Sequence, residues 1–138
     1  ISVIQPRIIV CEYNSLFGYK APITVPYRPD FNRTEAHYSN LYFGASISAL
    51  TILAKEKGYS LVASNSEGSN IFFVRNDLMK NLKELSPKEA YVRSKFRESR
   101  DPDGQMTFLS FKDRLELIKE KKVVNIVDSK VYTISEII

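Results

Sequence analysis

The chain has 138 residues, 43% hydrophobic, 26% charged and 12% aromatic, the composition of an ordinary folded domain rather than of a disordered or fibrous one. That length suits one domain with its own core plus a tail. The net charge of +4 is modest, and the densest basic groups, at 93–100 and 119–122, are interrupted by Glu; this argues against nucleic acid as a partner, which calls for a contiguous basic stripe with interleaved aromatics.

The longest uncharged stretch, 39–54, contains Ser39, Asn40, Gly44, Ser46, Ser48 and Thr51, and it is too polar and too short to span a bilayer. No membrane anchor is expected. The one cysteine, Cys11, lies in an apolar run, where a thiol behaves as a small hydrophobe. With no disulfide framework and no signal pattern at the start, a reducing, cytoplasmic setting is the expectation. The first residue is not Met and the opening carries no capping signal, so the natural chain is expected to begin earlier.

The run that opens at Arg7 and closes at Tyr13 is β-branched and continuously apolar until Glu12, as in a strand buried on both faces. Residues 16–40 hold Gly18, Pro22, Pro26 and Pro29, which forbid a regular helix and leave 23–25 as a short extended piece. A loop of this length is functional or disordered in most compact domains, and its aromatics, Phe17, Tyr19, Tyr27, Phe31 and Tyr38, point to an ordered surface. Tyr27, Phe31 and Tyr38 are expected to anchor the loop against the next helix. That helix is expected over 45–57, with Ile47, Leu50, Leu53 and Ala54 on its stripe and Gly58 as its C-terminal cap.

Residues 59–64 and 71–75 then read as an antiparallel hairpin around 65–70. Ser86 followed by Pro87 and Glu89 signals a helix start running on over 90–98. A turn at 101–104 precedes an amphipathic helix over 111–121. A second hairpin, 123–127 with 131–134, flanks Asp128, Ser129 and Lys130.

Strand, irregular crossing, helix and antiparallel hairpin is the order that closes a class I methyltransferase sheet, where a reversed strand inserts beside the fifth. The segment Pro-Arg-Ile-Ile-Val-Cys-Glu-Tyr-Asn at 6–14 resembles the fifth strand of the FkbM-like methyltransferases. Residues 44–59 resemble the following helix, and 60–78, ending Asn-Ile-Phe-Phe-Val-Arg-Asn-Asp-Leu, are similar to the terminal hairpin. The resemblance covers 1–78 and fades beyond Leu78. It implies an α/β fold: the C-terminal half of a Rossmann-like methyltransferase sheet over 1–78, with a helical extension ending in a hairpin over 79–138.

The Gly-rich turn and acidic ribose-binding residue of such enzymes lie in the earlier half of the domain, and neither is present here. S-adenosylmethionine belongs, on this reading, to a longer parent; the chain alone carries no cofactor site and is inactive.

Ligands of open α/β sheets bind beyond the carboxyl ends of the parallel strands, which points to Glu12, Tyr13 and Asn14 as substrate-binding candidates. The plainer alternative pairs Glu12 with a nearby base and uses Asn14 to cap the strand. His37, the one histidine, could serve as a general base beside Tyr38, or be incidental in an exposed loop. No metal-ligand spacing is present. The expected partner is the missing N-terminal half of the domain, or a second copy pairing along the strand edge between Arg7 and Tyr13; capping of that edge by the C-terminal hairpin is a third outcome. Three functions stay open: the substrate-side half of a methyltransferase-like protein, a non-catalytic structural or interaction module, or a basic surface that recruits an acidic partner.

Overall fold

A computed structural model describes residues 4–95 and 98–138. It is a mixed α/β chain with two small antiparallel sheets. The first sheet contains β1 (Ile8–Glu12), β3 (Tyr59–Ser64) and β4 (Asn70–Arg75) in the order β1-β4-β3. Both outer strands run antiparallel to β4, so β1 and β3 point the same way, with the reversed β4 between them.

The connection from β1 to β3 includes helix α2 (Ile47–Glu56). Its start is fixed by Ser46, whose Oγ accepts from the Ala49 amide at 3.1 Å and donates to the Ala21 carbonyl at 2.8 Å, so one buried hydroxyl caps the helix and ties down the preceding loop. Its end is set by Gly58 at φ 81°, a left-handed conformation that costs a side-chain-bearing residue about 1 kcal/mol. The inward stripe differs from the expected one. Ile47, Thr51 and Ala54 are buried, whereas Leu53 is 47% exposed, because the single sheet beneath the helix covers too narrow an arc to reach it.

The core of this unit packs Ile47 and Ala54 against Tyr59, Leu61, Ile71 and Phe73, with Ile9 and Cys11 at its margin. β1 is therefore not buried on both faces as its composition suggested. Ile9 and Cys11 turn inward, while Ile8 and Val10 are 59% and 57% exposed, because helical cover lies on one side only.

The second sheet joins β2 (Ile23–Thr24), β5 (Lys122–Asn125) and β6 (Val131–Thr133) in the order β2-β5-β6. The C-terminal hairpin thus pairs with β2, and it leaves the edge of β1 uncapped among the described residues. Within the long loop lie a 3-10 turn (Ser15–Phe17) and the one-turn helix α1 (Arg33–Ala36). Phe17, Ile23 and Leu41 bury against Ile118, Val123 and Ile134 as a second core. Of the loop aromatics, Phe31 packs on this second core rather than on α2, and Tyr27 and Tyr38 are exposed. The rigid segments between Pro22, Pro26 and Pro29 carry Tyr27 out over the surface.

Helix α3 (Pro87–Ala90) starts as expected, with Ser86 and Glu89 forming a capping box, but stops after one turn. The next amides find partners elsewhere: Val92 donates to the Tyr13 hydroxyl at 3.3 Å, Ser94 to Ser15 Oγ at 3.0 Å and Lys95 to the Glu67 carbonyl at 3.1 Å. These bonds replace the i to i−4 ladder. Part of the longer helix expected there, Phe96 and Arg97, lies outside the described residues. Helices α4 (Phe111–Ile118) and α5 (Ile134–Ile137) complete the chain. Among the described residues no helix is long and apolar enough to cross a membrane.

Ser46→Ala would remove the cap of α2 and leave the buried Ala21 carbonyl without its hydroxyl donor. A loss of about 2 kcal/mol or more is expected in urea unfolding, and wild-type stability would show that the hydroxyl does not carry the junction.

Candidate functional site

Where β1 ends, the chain turns sharply into the 3-10 turn and leaves a cleft of about 150 Å³. Its floor is the end of β1 and the β3–β4 turn at Gly68 and Ser69. Arg33 and Phe43 form one wall, and Glu98 and Arg114 the other. The strand-end residues Glu12, Tyr13 and Asn14 are among those that line it.

The three candidates from this strand end have different roles. Asn14 is buried: its Nδ2 donates to the carbonyls of Leu41 at 2.9 Å and Phe43 at 3.0 Å, and its Oδ1 accepts from the Leu16 amide at 3.1 Å. Its polar atoms are spent on shaping the chain. Tyr13 is also buried. Its hydroxyl donates to the Val92 carbonyl at 2.7 Å, and burial raises its pKa above the ordinary phenol value, so it is a structural donor and not an acid poised for proton transfer. Glu12 is exposed at the cleft mouth and makes no ion pair among the described residues. Of the three, it alone offers its charged group to a ligand.

His37 and Tyr38 do not line the cleft. The His37 ring stacks on Tyr38 with centroids 4.5 Å apart, and its Nδ1 lies 2.7 Å from Ser39 Oγ and accepts from the Ser39 amide at 3.3 Å. Accepting an N–H at Nδ1 suits the neutral ring. Partial burial, and secondarily the charge of Lys121, hold its pKa below the usual 6.5.

Three further charged groups converge on the cleft that the strand-end rule did not select. Arg33 sits over the Phe43 ring at 3.9 Å and donates from Nε to the Asn40 carbonyl. Arg114, only 3% exposed, donates to the Ser94 carbonyl at 3.0 Å. Glu98 pairs with Arg100 at 3.4 Å. Arg114 had a legible signal, since it occupies the inward stripe of α4 together with Phe111, Leu115 and Ile118 at helical spacing, an unusual place for a guanidinium. Arg33 and Glu98 had none.

Gly68 shapes the floor. It sits at φ +68°, and a Cβ there would come within 2.4 Å of the Val92 carbonyl oxygen. Backbone is thus packed directly on backbone, and the glycine is closed to a nucleotide or methionine group. Ser15 and Ser69 hydroxyls are engaged with the Ser94 amide and Asn65. The cleft therefore supplies charged and hydrogen-bonding groups suited to holding a polar ligand, and no nucleophile–base pair is found among the described residues that line it. Nor do the described residues include a group of three or more His, Cys, Asp or Glu able to hold a metal.

Gly68→Ala should displace the 92–94 segment and destabilise the fold by about 2 kcal/mol or more, readable as a lower denaturation midpoint with weakened amide protection at Val92 and Ser94. Unchanged protection would contradict the packing.

The depressed His37 pKa has a sign that can be tested. The folded chain binds the proton less well than the unfolded chain, so this contribution is intact above about 6.5 and is lost as pH falls through that value toward the folded pKa. Glu89, which its capping-box bonds hold at about 2, keeps its stabilising contribution near neutral pH and loses it at lower pH, where carboxylates titrate. Stability measured between pH 7 and 5 should fall in the wild type and stay flat in His37→Gln; parallel curves would remove His37 as the cause.

Comparison with protein-family models, with curated proteins and with solved structures finds no match to this chain.

Proposed function

We propose that the chain is the substrate-side, sheet-closing half of a class I methyltransferase-like domain and is inactive without the half that binds S-adenosylmethionine. The observation that carries this reading is the strand order β1-β4-β3, with parallel β1 and β3 on either side of a reversed β4. A strand, a crossing helix and a hairpin whose second strand inserts beside the first is how that class of sheet ends.

Two features support it. The backbone groups of Ile8, Val10 and Glu12 face away from β4, since the flanking ladder bonds run from Arg75 to Arg7 and from Tyr13 to Ser69. This leaves an edge on which a further strand could pair, and the exposed side chains of Ile8 and Val10 are suited to cover by helices on that face. The cleft also opens at the carboxyl end of β1, where it would contribute Glu12, Arg33, Glu98 and Arg114 to the substrate side.

The residues present do not fit S-adenosylmethionine by themselves. No glycine-rich turn or ribose carboxylate is in the chain, and Gly68, the glycine at the cleft, is packed against the 92–94 backbone. The lack of a nucleophile–base pair in the cleft favours the second reading, a non-catalytic interaction module with the same exposed edge.

The two readings part on one experiment. The 138-residue chain should show no calorimetric binding of S-adenosylmethionine. A polypeptide extended upstream through its own reading frame should bind it with a micromolar dissociation constant and slow amide exchange at Ile8, Val10 and Glu12. An extended chain that protects these amides without binding the cofactor would favour the module. Exchange unchanged at all three would remove the sheet-completion reading, and tight binding by the short chain would contradict the division of the site.

A further inference from the structure

A hollow of about 310 Å³ is walled by Tyr19, Tyr91, Phe111 and Leu115, lined also by Ile138, and rimmed by Lys20 and Arg93. The Tyr19 and Tyr91 rings are 5.3 Å apart, and Tyr91 is locked in place because its hydroxyl donates to the Ser15 carbonyl at 2.9 Å. Its volume is near the lower end of the range of about 300–1,000 Å³ common for small-molecule pockets. The walls are preformed by packing, as binding without an ordering penalty requires.

The ionisable side chains at the rim, Lys20 and Arg93, carry one sign of charge. Arg93 lies over the Phe111 ring with its guanidinium carbon 4.3 Å from the centroid, a contact that positions the group at the lip without neutralising it. Among the described residues neither Arg93 nor Lys20 forms an ion pair. Aromatic walls alone would also suit a cation, but two cations at the entrance repel one, while an anion gains from both.

We propose that this hollow binds a small anion with a planar apolar body, such as an aromatic carboxylate or sulfonate, the ring lying against the wall formed by Tyr19, Tyr91 and Phe111 and the acid group meeting Arg93 and Lys20. The site is separate from the cleft at the end of β1 and does not depend on the methyltransferase-like reading.

Naphthalene-2-sulfonate is a suitable probe, followed by NMR on the 138-residue chain. Saturable shifts at Tyr19, Tyr91 and Phe111 are expected, with affinity about fivefold lower or more for the neutral naphthalene-2-methanol and for Arg93→Gln or Lys20→Gln, as loss of one ionic contact implies. Both substituted side chains are exposed at the rim, and far-UV circular dichroism of each variant verifies its fold. Weakening in either variant supports the site. Equal affinity in both, equal binding of the neutral compound, shifts confined to the Ile8 and Val10 strip, or no binding at all would overturn it.

Discussion

One buried amide holds the two parts of this molecule together. At the end of β1, Asn14 reaches the carbonyls of Leu41 and Phe43 with its nitrogen and the amide of Leu16 with its oxygen. Leu16 and Leu41 belong to the second core, while β1 and Tyr13 belong to the first. Each of those backbone groups would cost about 1–3 kcal/mol if buried without a partner, so no apolar residue can take the place of Asn14. The Ser46 hydroxyl does the parallel work at the start of α2, and the two polar side chains together fix where the long loop leaves and rejoins the first sheet.

That fixed geometry decides what is left at the surface. A three-stranded sheet with helical cover on one face exposes the other, and β1, at the sheet margin, presents both an unpaired backbone edge and the side chains of Ile8 and Val10. The same anchoring makes the cleft beyond β1 a feature of rigid parts. Its floor is the tightly packed Gly68 turn, and its walls are held by Arg33 on Phe43 and by Arg114 on the Ser94 carbonyl.

The ionisable groups divide into those consumed by structure and those left to act. Tyr13 and Tyr91 have their hydroxyls, and His37 its Nδ1, committed to backbone or hydroxyl partners, and burial favours the neutral form of each. Glu12, Lys20 and Arg93 retain accessible charge at the mouths of the two concavities.

Much of the local structure was legible in the sequence because local chemistry determines it. Ser86 and Gly58 mark helix ends by satisfying or freeing particular backbone groups, the apolar runs on either side of 65–70 specify a hairpin, and Asp128 to Lys130 fold back within a few residues. The strand end at Glu12, Tyr13 and Asn14, singled out in the sequence, does line a cleft, but the other residues around that cleft were not legible. A strand of Ile, Val and Cys reads alike whether one face or both are covered, and only tertiary packing decided that Ile8 and Val10 face outward. Sequence spacing could not reveal that the C-terminal hairpin joins β2, that Tyr13 and Asn14 are spent on distant backbone, or that Arg33, Glu98 and Arg114 meet around one cleft, because those outcomes rest on contacts between segments far apart in the chain, whose pairing local periodicity does not encode.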